Sequence, residues 1–438
     1  MDSPVDQPVV GNDGREGGMS ETLLGAQLAR ERLALSHLGV GPMPLAGLVF
    51  PAKLAPRAQE ALREGRALDE TCELAFLCSA AAGHVDQAQR ELAQYAGEDW
   101  AEYDCGVLAG RSGRLQTRDR ALTVLDAIAA FVLGDDDANL SWQAATMDEG
   151  LGVGVRAWAG IVGLAWATEI ASSSHISEAL TALVSLLDQV EPLQAAMIQR
   201  SILPHRKELG ISDQAAVTGY REVIATLKTT CLLEDLGSAW LELGGLLHEM
   251  GGANPGYLRE AVKCYQESTK IFSRTSAPVM FASIQVDIAV CYLAMPMLES
   301  SDAVRFAVAI SSLREAMRVF TPEEYPRQWF TCQLNLANAL VYSPSAHSVA
   351  NIVEAVDLYS ELAGRVNPLE DPMGYARLMF NWGNALAHLG DFVEARSRLH
   401  EARRIFEEFE IYDEVRAVRD VLDEMERSRT RGVVDGAL

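Results

Sequence analysis

Apolar residues recur at helical spacing along most of this chain, in segments separated by short breaks rich in glycine, proline or aspartate. From about Ala67 onward, the apolar positions fall three or four residues apart, which places them on one face of a helix. No segment shows the strict alternation of apolar and polar residues that marks a half-buried strand. The pattern therefore predicts an all-α protein.

Three helices are predicted to begin at prolines spaced 48 and 46 residues apart, Pro278, Pro326 and Pro372. Each proline is followed three residues later by an aromatic residue and eleven residues later by a small one. The aromatic residues are Phe281, Trp329 and Tyr375, and the small residues are Ala289, Ala337 and Gly383. Proline suits the first turn of a helix, where its missing N–H has no partner to lose. The small residue predicts a point where another helix crosses closely.

A second helical pattern recurs four times, each time beginning at an alanine. A bulky apolar residue follows four positions on, and a glutamate follows six positions on. The alanines are Ala261, Ala309, Ala355 and Ala395, the bulky residues are Tyr265, Leu313, Tyr359 and Leu399, and the glutamates are Glu267, Glu315, Glu361 and Glu401. The apolar offsets share one helical face, so they predict a packing stripe. The glutamates lie off that face and are expected in solvent rather than in a functional ladder.

Two amphipathic helices in a unit of about 46 residues cannot bury their apolar faces alone, so the units are expected to stack into a solenoid. The segment Asn381–Ala402, NWGNALAHLGDFVEARSRLHEA, resembles the tetratricopeptide repeat. The matching residues are Gly383, Leu386, Gly390, Asp391, Ala395, Leu399 and Ala402. The unit is longer than the family's usual 34 residues, and is similar to kinesin-light-chain-like arrays and to bacterial arrays that accompany CHAT protease domains.

The resemblance covers about Ala215–Phe409 and implies a right-handed superhelical solenoid of antiparallel helix pairs. We expect a disordered leader at residues 1–20 and divergent helix pairs at 21–210. The repeat array is expected at 211–410, and a capping helix and tail at 411–438.

In this family the first helix of each pair lines the concave surface, where extended peptides bind. The resemblance implies a peptide site formed by Thr331, Asn335, Asn338, Tyr342, Arg377, Phe380, Asn381, Asn384 and His388. An asparagine amide offers a donor and an acceptor to a peptide backbone, and Arg377 can take a carboxylate through two hydrogen bonds. The alternative is that the asparagines only tie neighbouring helices together. The copy at Pro278 has Asp287 and Val290 instead, so the asparagine track ends there.

The net charge of −24 argues against nucleic acid and anionic membranes as partners. Seven cysteines form no CxxC pair, residues 1–20 contain no signal-peptide pattern, and the longest apolar run, 157–168, is too short to span a bilayer. These features predict a cytoplasmic protein.

The eight histidines are dispersed, and the GxGxG sequence at 150–154 follows no predicted strand, so we predict no catalytic residue, no metal site and no cofactor. The predicted function is a protein- or peptide-binding scaffold or regulatory adaptor. Two alternatives stay open: a ligand-sensing regulator similar to bacterial tetratricopeptide peptide receptors, and an enzyme whose pocket is enclosed by the N-terminal helices. Self-association is also left open.

Overall fold

The structure is a computed structural model. It describes residues 84–93, 120–132, 142–170, 172–230, 232–252, 254–296, 302–344 and 347–435, together with Phe76, Ser79 and Glu102. Within these residues the chain is helical and contains no strand, as the apolar spacing predicts. The leader expected at residues 1–20 lies outside them. Contacts divide the chain into two units, residues 1–239 and 240–438.

Seven described helices and the start of an eighth belong to the first unit. They are α1 (Val85–Leu92), α2 (Arg120–Val132), α3 (Trp142–Met147), α4 (Val153–Glu169), α5 (Ser173–Leu186), α6 (Pro192–Ile202), α7 (Asp213–Leu227) and α8 (Leu233–Met250), which contains the division. Short 3-10 helices at Leu187–Gln189 and Leu203–His205 follow α5 and α6. The helix α7 covers the earlier repeat copy at Ala216, which is fully buried together with Leu227.

The helix α4 is strongly apolar and packs against α2, α3, α5 and α6. Its two glycines allow close approach: a Cβ at Gly160 or at Gly163 would lie 2.7 Å from an atom of Leu183 or Trp142 respectively. The apolar run at 157–168 therefore belongs to a buried helix. None of the helices in the described part of the chain has the length and apolarity needed to cross a membrane.

The helices of the second unit after α8 are α9 (Pro255–Thr269), α10 (Pro278–Ala294), α11 (Asp302–Ala316), α12 (Pro326–Tyr342), α13 (Ser348–Ala363), α14 (Pro372–Leu389), α15 (Phe392–Glu408) and α16 (Tyr412–Asp435). From α10 to α15, helices that begin at a proline alternate with helices that follow the alanine pattern, and α9 has both features. The prolines of α10, α12 and α14 occupy the first turn, as predicted. We call α10, α12 and α14 the first helices, and α11, α13 and α15 the second helices.

Each helix from α9 to α16 packs against the next one along the chain, and each first helix also contacts the next first helix. The small residues lie at the predicted crossings: a Cβ at Gly383 would come within 2.8 Å of the Leu399 side chain. In the same way, a Cβ at Gly244 would come within 2.6 Å of the Tyr265 ring. All four pattern alanines are fully buried. This consecutive packing of helices is consistent with a helical repeat protein.

Candidate functional site

The first helices share one accessible stripe, which lies 5, 9, 12 and 16 residues after each N-terminal proline. These spacings of three or four residues keep the positions on one helical face. The stripe consists of Ser283, Asp287, Val290 and Ala294 on α10, Thr331, Asn335, Asn338 and Tyr342 on α12, and Arg377, Asn381, Asn384 and His388 on α14. None of these residues is buried. We call this surface the first-helix stripe, and it contains eight of the nine predicted site residues.

Asn338 is held in place by a buried tyrosine of the following helix. The Tyr359 hydroxyl on α13 donates a hydrogen bond of 2.6 Å to the Oδ1 atom of Asn338. Tyr359 is 1% exposed, and burial raises the pKa of its phenol, which keeps it protonated as a donor. The bond uses the acceptor of the Asn338 amide, and the Nδ2 donor has no partner within the described residues.

Asn384 connects two neighbouring first helices. Its Nδ2 atom donates a hydrogen bond of 2.8 Å to the Tyr342 hydroxyl oxygen, so α14 is tied to the C-terminal end of α12. Tyr342 is 51% exposed. Partial burial raises the pKa of its phenol, and the hydrogen bond from Asn384 lowers it.

Asn338, Tyr342, Tyr359 and Asn384 form what we call the amide–tyrosine cluster. The phenols of Tyr342 and Tyr359 lie close enough to interact electrostatically. Three of the four residues were predicted from the repeat offsets. Tyr359 was expected only as a core residue. Its role as a hydrogen-bond donor could have been inferred from its hydroxyl group, since two of the four copies have a leucine at this position.

The remaining predicted residues are placed differently from one another. Arg377 and His388 are exposed, and Asn335 and Asn381 are half-buried. The Thr331 hydroxyl donates a hydrogen bond of 3.1 Å to the Arg327 carbonyl oxygen of its own helix. Phe380 lies eight residues after its proline, off the stripe, and packs against the core.

Asp287 occupies the stripe position at which α12 and α14 carry Asn335 and Asn381. Its carboxylate is half-buried and makes no hydrogen bond or ion pair within the described residues. Burial raises its pKa from 3.8 to about 6, since water solvates the ionised carboxylate better than the protein does. The same burial, together with the nearby Asp287 charge, raises the pKa of the Cys291 thiol to about 12.

The periodic glutamates are partly exposed, as predicted, and they take part in internal contacts. Glu267, Glu315 and Glu361 each pair with a basic residue three or four positions on, at distances of 2.6 to 3.4 Å. Glu401 accepts a hydrogen bond of 2.9 Å from the Tyr375 hydroxyl. These carboxylates are thus occupied by neighbouring groups of the repeat.

No metal centre is found in the part of the chain that the structure describes, where no group of three or more His, Cys, Asp or Glu side chains is placed to hold one. The Ser172 Oγ lies 2.6 Å from the Nδ1 of His175 at the start of α5, in an exposed, local contact. No protein-family model matches this chain, and no curated protein matches it either.

Proposed function

We propose that the second unit is a tetratricopeptide-type solenoid, wound in a right-handed superhelix, and that its first-helix stripe binds an extended peptide or peptide-like segment of a partner protein. The observation that carries the proposal is the amide–tyrosine cluster. Two of its asparagines each spend one polar group on a tyrosine and keep the other free. The free groups are opposite in kind: the Nδ2 donor of Asn338 and the Oδ1 acceptor of Asn384.

A free donor and a free acceptor on adjacent helices complement a peptide group, which has one N–H and one C=O. Asn338 is bonded to α13 through Tyr359, and Asn384 is bonded to α12 through Tyr342, so their remaining groups can bind a ligand while both bonds stay in place. Because both tyrosine contacts fix the amide orientation, less side-chain entropy is lost on binding. The two hypotheses for the asparagines, ligand contact and helix tying, are therefore compatible. Each amide ties helices together with one polar group and offers the other to a ligand.

Arg377 adds charge to the same surface. It is exposed and forms no ion pair within the described residues. A guanidinium in this state can bind a carboxylate through two parallel hydrogen bonds. The proposed ligand therefore presents backbone amides to the cluster and an acidic group to Arg377.

The proposal is tested by panning a random peptide library on the full-length protein and measuring the affinity of recovered peptides by fluorescence polarisation. Asn338→Ala combined with Asn384→Ala is expected to weaken binding about 5- to 150-fold, because each residue contributes a hydrogen bond of about 0.5–1.5 kcal/mol. Asn351→Ala on α13 is the matched control, since it removes a half-buried amide from a second helix. Equal affinities for the double variant and the control would overturn the proposal.

A further inference from the structure

Asp287 carries a charge that the array itself does not neutralise. Its carboxylate interacts electrostatically with the Tyr265 phenol of α9 and with the Cys291 thiol of α10, and neither group is a cation. The tyrosine and the Cys291 thiol stay neutral at physiological pH, because burial raises the pKa of each. A half-buried carboxylate without a counter-charge is costly to keep ionised.

The repeat offers an uncharged alternative at the position of Asp287, so the free-energy cost of this carboxylate is not imposed by the fold. The two following first helices have an asparagine at the same offset, which has nearly the same shape and no charge. Among the charged residues of the first helices, Asp287 is the single acidic one, and Arg327 and Arg377 are the basic ones. The stripe therefore has a negative end on α10 and a positive end on α14, with asparagines between them.

We propose that Asp287 binds a cationic group of the ligand, so that the stripe takes a dipolar peptide whose basic side chain meets Asp287 and whose acidic group meets Arg377. The inference rests on the proposed function and specifies its ligand. A ligand ammonium or guanidinium supplies the counter-charge that the array lacks. It also favours one placement of the peptide over a shifted one, since charges at both ends must match.

The helix spacing limits the length of such a ligand. The helices α10 and α12 contact each other, as do α12 and α14. Packed helices lie about 8–10 Å apart, so the two outer ones are about 16–20 Å apart. An extended peptide covers about 3.3 Å per residue, so the basic and the acidic residue are about five or six positions apart in the ligand sequence.

Four pools of acetylated and amidated hexapeptides with a neutral dye test this inference on the full-length protein. Each pool has four randomised inner positions. Two pools carry lysine at one end and aspartate at the other, in the two orders; the third carries lysine at both ends, and the fourth aspartate at both. The wild-type protein is expected to bind one mixed-charge pool about tenfold more tightly than either like-charge pool, as for one charge contact of about 1.4 kcal/mol.

The variants Asp287→Asn and Asp287→Lys separate recognition from damage to the fold. Asp287→Asn introduces the residue of the neighbouring repeats and is expected to abolish the preference for the mixed pool over the aspartate pool. The preference over the lysine pool remains, because Arg377 is unchanged. Asp287→Lys is expected to transfer the preference to the aspartate pool, a gain that an unfolded protein cannot show. Asp357→Lys on the second helix α13 changes the net charge equally at an exposed site, and is expected to leave the preference unchanged.

The pH dependence gives an independent readout. The affinity of the preferred mixed pool is expected to fall as the pH is lowered from 7.5 to 5, since the Asp287 carboxylate becomes protonated while the ligand lysine stays charged. Asp287→Asn is expected to lose this dependence.

The outcomes distinguish this inference from the proposed function. If no pool binds the wild type, both proposals fail. If binding depends on Asn338 and Asn384, yet Asp287→Asn and Asp357→Lys have the same preference as the wild type, the peptide site stands and the dipolar ligand is wrong. A wild-type preference for either like-charge pool leads to the same conclusion.

Discussion

The first and second helices of the array bury similar apolar stripes but carry very different charges on their outer faces. On the second helix α15, four arginines each lie within 4.0 Å of a glutamate carboxylate, in the pairs Arg396–Glu426, Arg398–Glu394, Arg403–Glu407 and Arg404–Glu408. The first helices have only Asp287, Arg327 and Arg377, and none of the three forms an ion pair within the described residues.

This difference indicates that polar groups without internal partners are concentrated on the first helices. On the second helices, opposite charges at helical spacing satisfy each other, so a ligand there must compete with internal partners. On the first-helix stripe, the charged residues are few and unpaired, and the amides of Asn338 and Asn384 are oriented by tyrosines and only partly satisfied. An accessible surface in this condition is suited to binding.

The largest change in stability is expected at the buried apolar stripe through which the first and second helices pack. Leu399→Ala is expected to lower the free energy of unfolding by about 2–5 kcal/mol, because Leu399 is fully buried against Gly383 and leaves a cavity. Urea denaturation followed by circular dichroism measures the effect. The neighbouring His400 is exposed, and His400→Ala is expected to change stability by less than about 0.5 kcal/mol. Similar losses for the two variants would contradict the assigned face.

Asp287→Asn tests whether the unpaired charge on the first helix α10 lowers stability. The folded-state pKa of about 6 lies above the ordinary 3.8, so the native protein holds this proton more tightly than the unfolded chain does. The contribution to stability is complete below pH 3.8 and is lost as the pH rises through about 6. At pH 7 the variant is therefore expected to be more stable than the wild type, by at most about 3 kcal/mol because solvent screens a half-buried carboxylate.

Thermal unfolding of both proteins between pH 4 and pH 8 checks this prediction. The difference is expected to appear between about pH 4 and pH 6 and to level off above that range. A variant less stable than the wild type at pH 7 would show that Asp287 has a favourable native partner.

The turn after the first helix α14 and the turn after the second helix α15 have the same backbone conformation but different residues at its left-handed position. A residue in the left-handed conformation follows each of α14 and α15: Gly390 with φ 80° directly after α14, and Glu410 with φ 58° two residues after α15. In each case the next backbone N–H donates to a carbonyl five residues earlier. Glu410→Gly is expected to raise stability by about 1 kcal/mol, since glycine adopts this conformation without strain.

Gly390→Ala is the matched opposite change and is expected to lower stability by about 1 kcal/mol. Chemical denaturation of the two variants at one pH measures both effects. Changes of the same sign would mean that the two turns are not equivalent.

The smallest effect is expected at the exposed ion pairs of the second helices. Arg404 and Glu408 are 70% and 63% exposed. A double-mutant cycle with Arg404→Ala and Glu408→Ala is expected to give a coupling energy below about 0.5 kcal/mol, and a lower one at high salt. A coupling above 1 kcal/mol would mean that these charges do more than neutralise each other.

The repeat itself could be predicted because its cause is local and periodic. The prolines at 278, 326 and 372 start helices because their backbone requires a first-turn position. The alanines and Gly383 recur because close helix crossings exclude larger side chains, and this exclusion is visible as a spacing. The stripe followed from the same offsets.

What the sequence by itself determined about this protein is the all-helical pairing, the packing face of each helix and the accessible positions of the first helices. The tertiary structure decided which polar groups on those positions are used. The bond from Tyr359 to Asn338 joins residues 21 positions apart, and the bond from Asn384 to Tyr342 joins residues 42 positions apart. Asp287 became distinctive only through the side chains that surround it. Helical periodicity records the burial of one face, whereas hydrogen bonding and desolvation depend on neighbours that only the packed chain brings together.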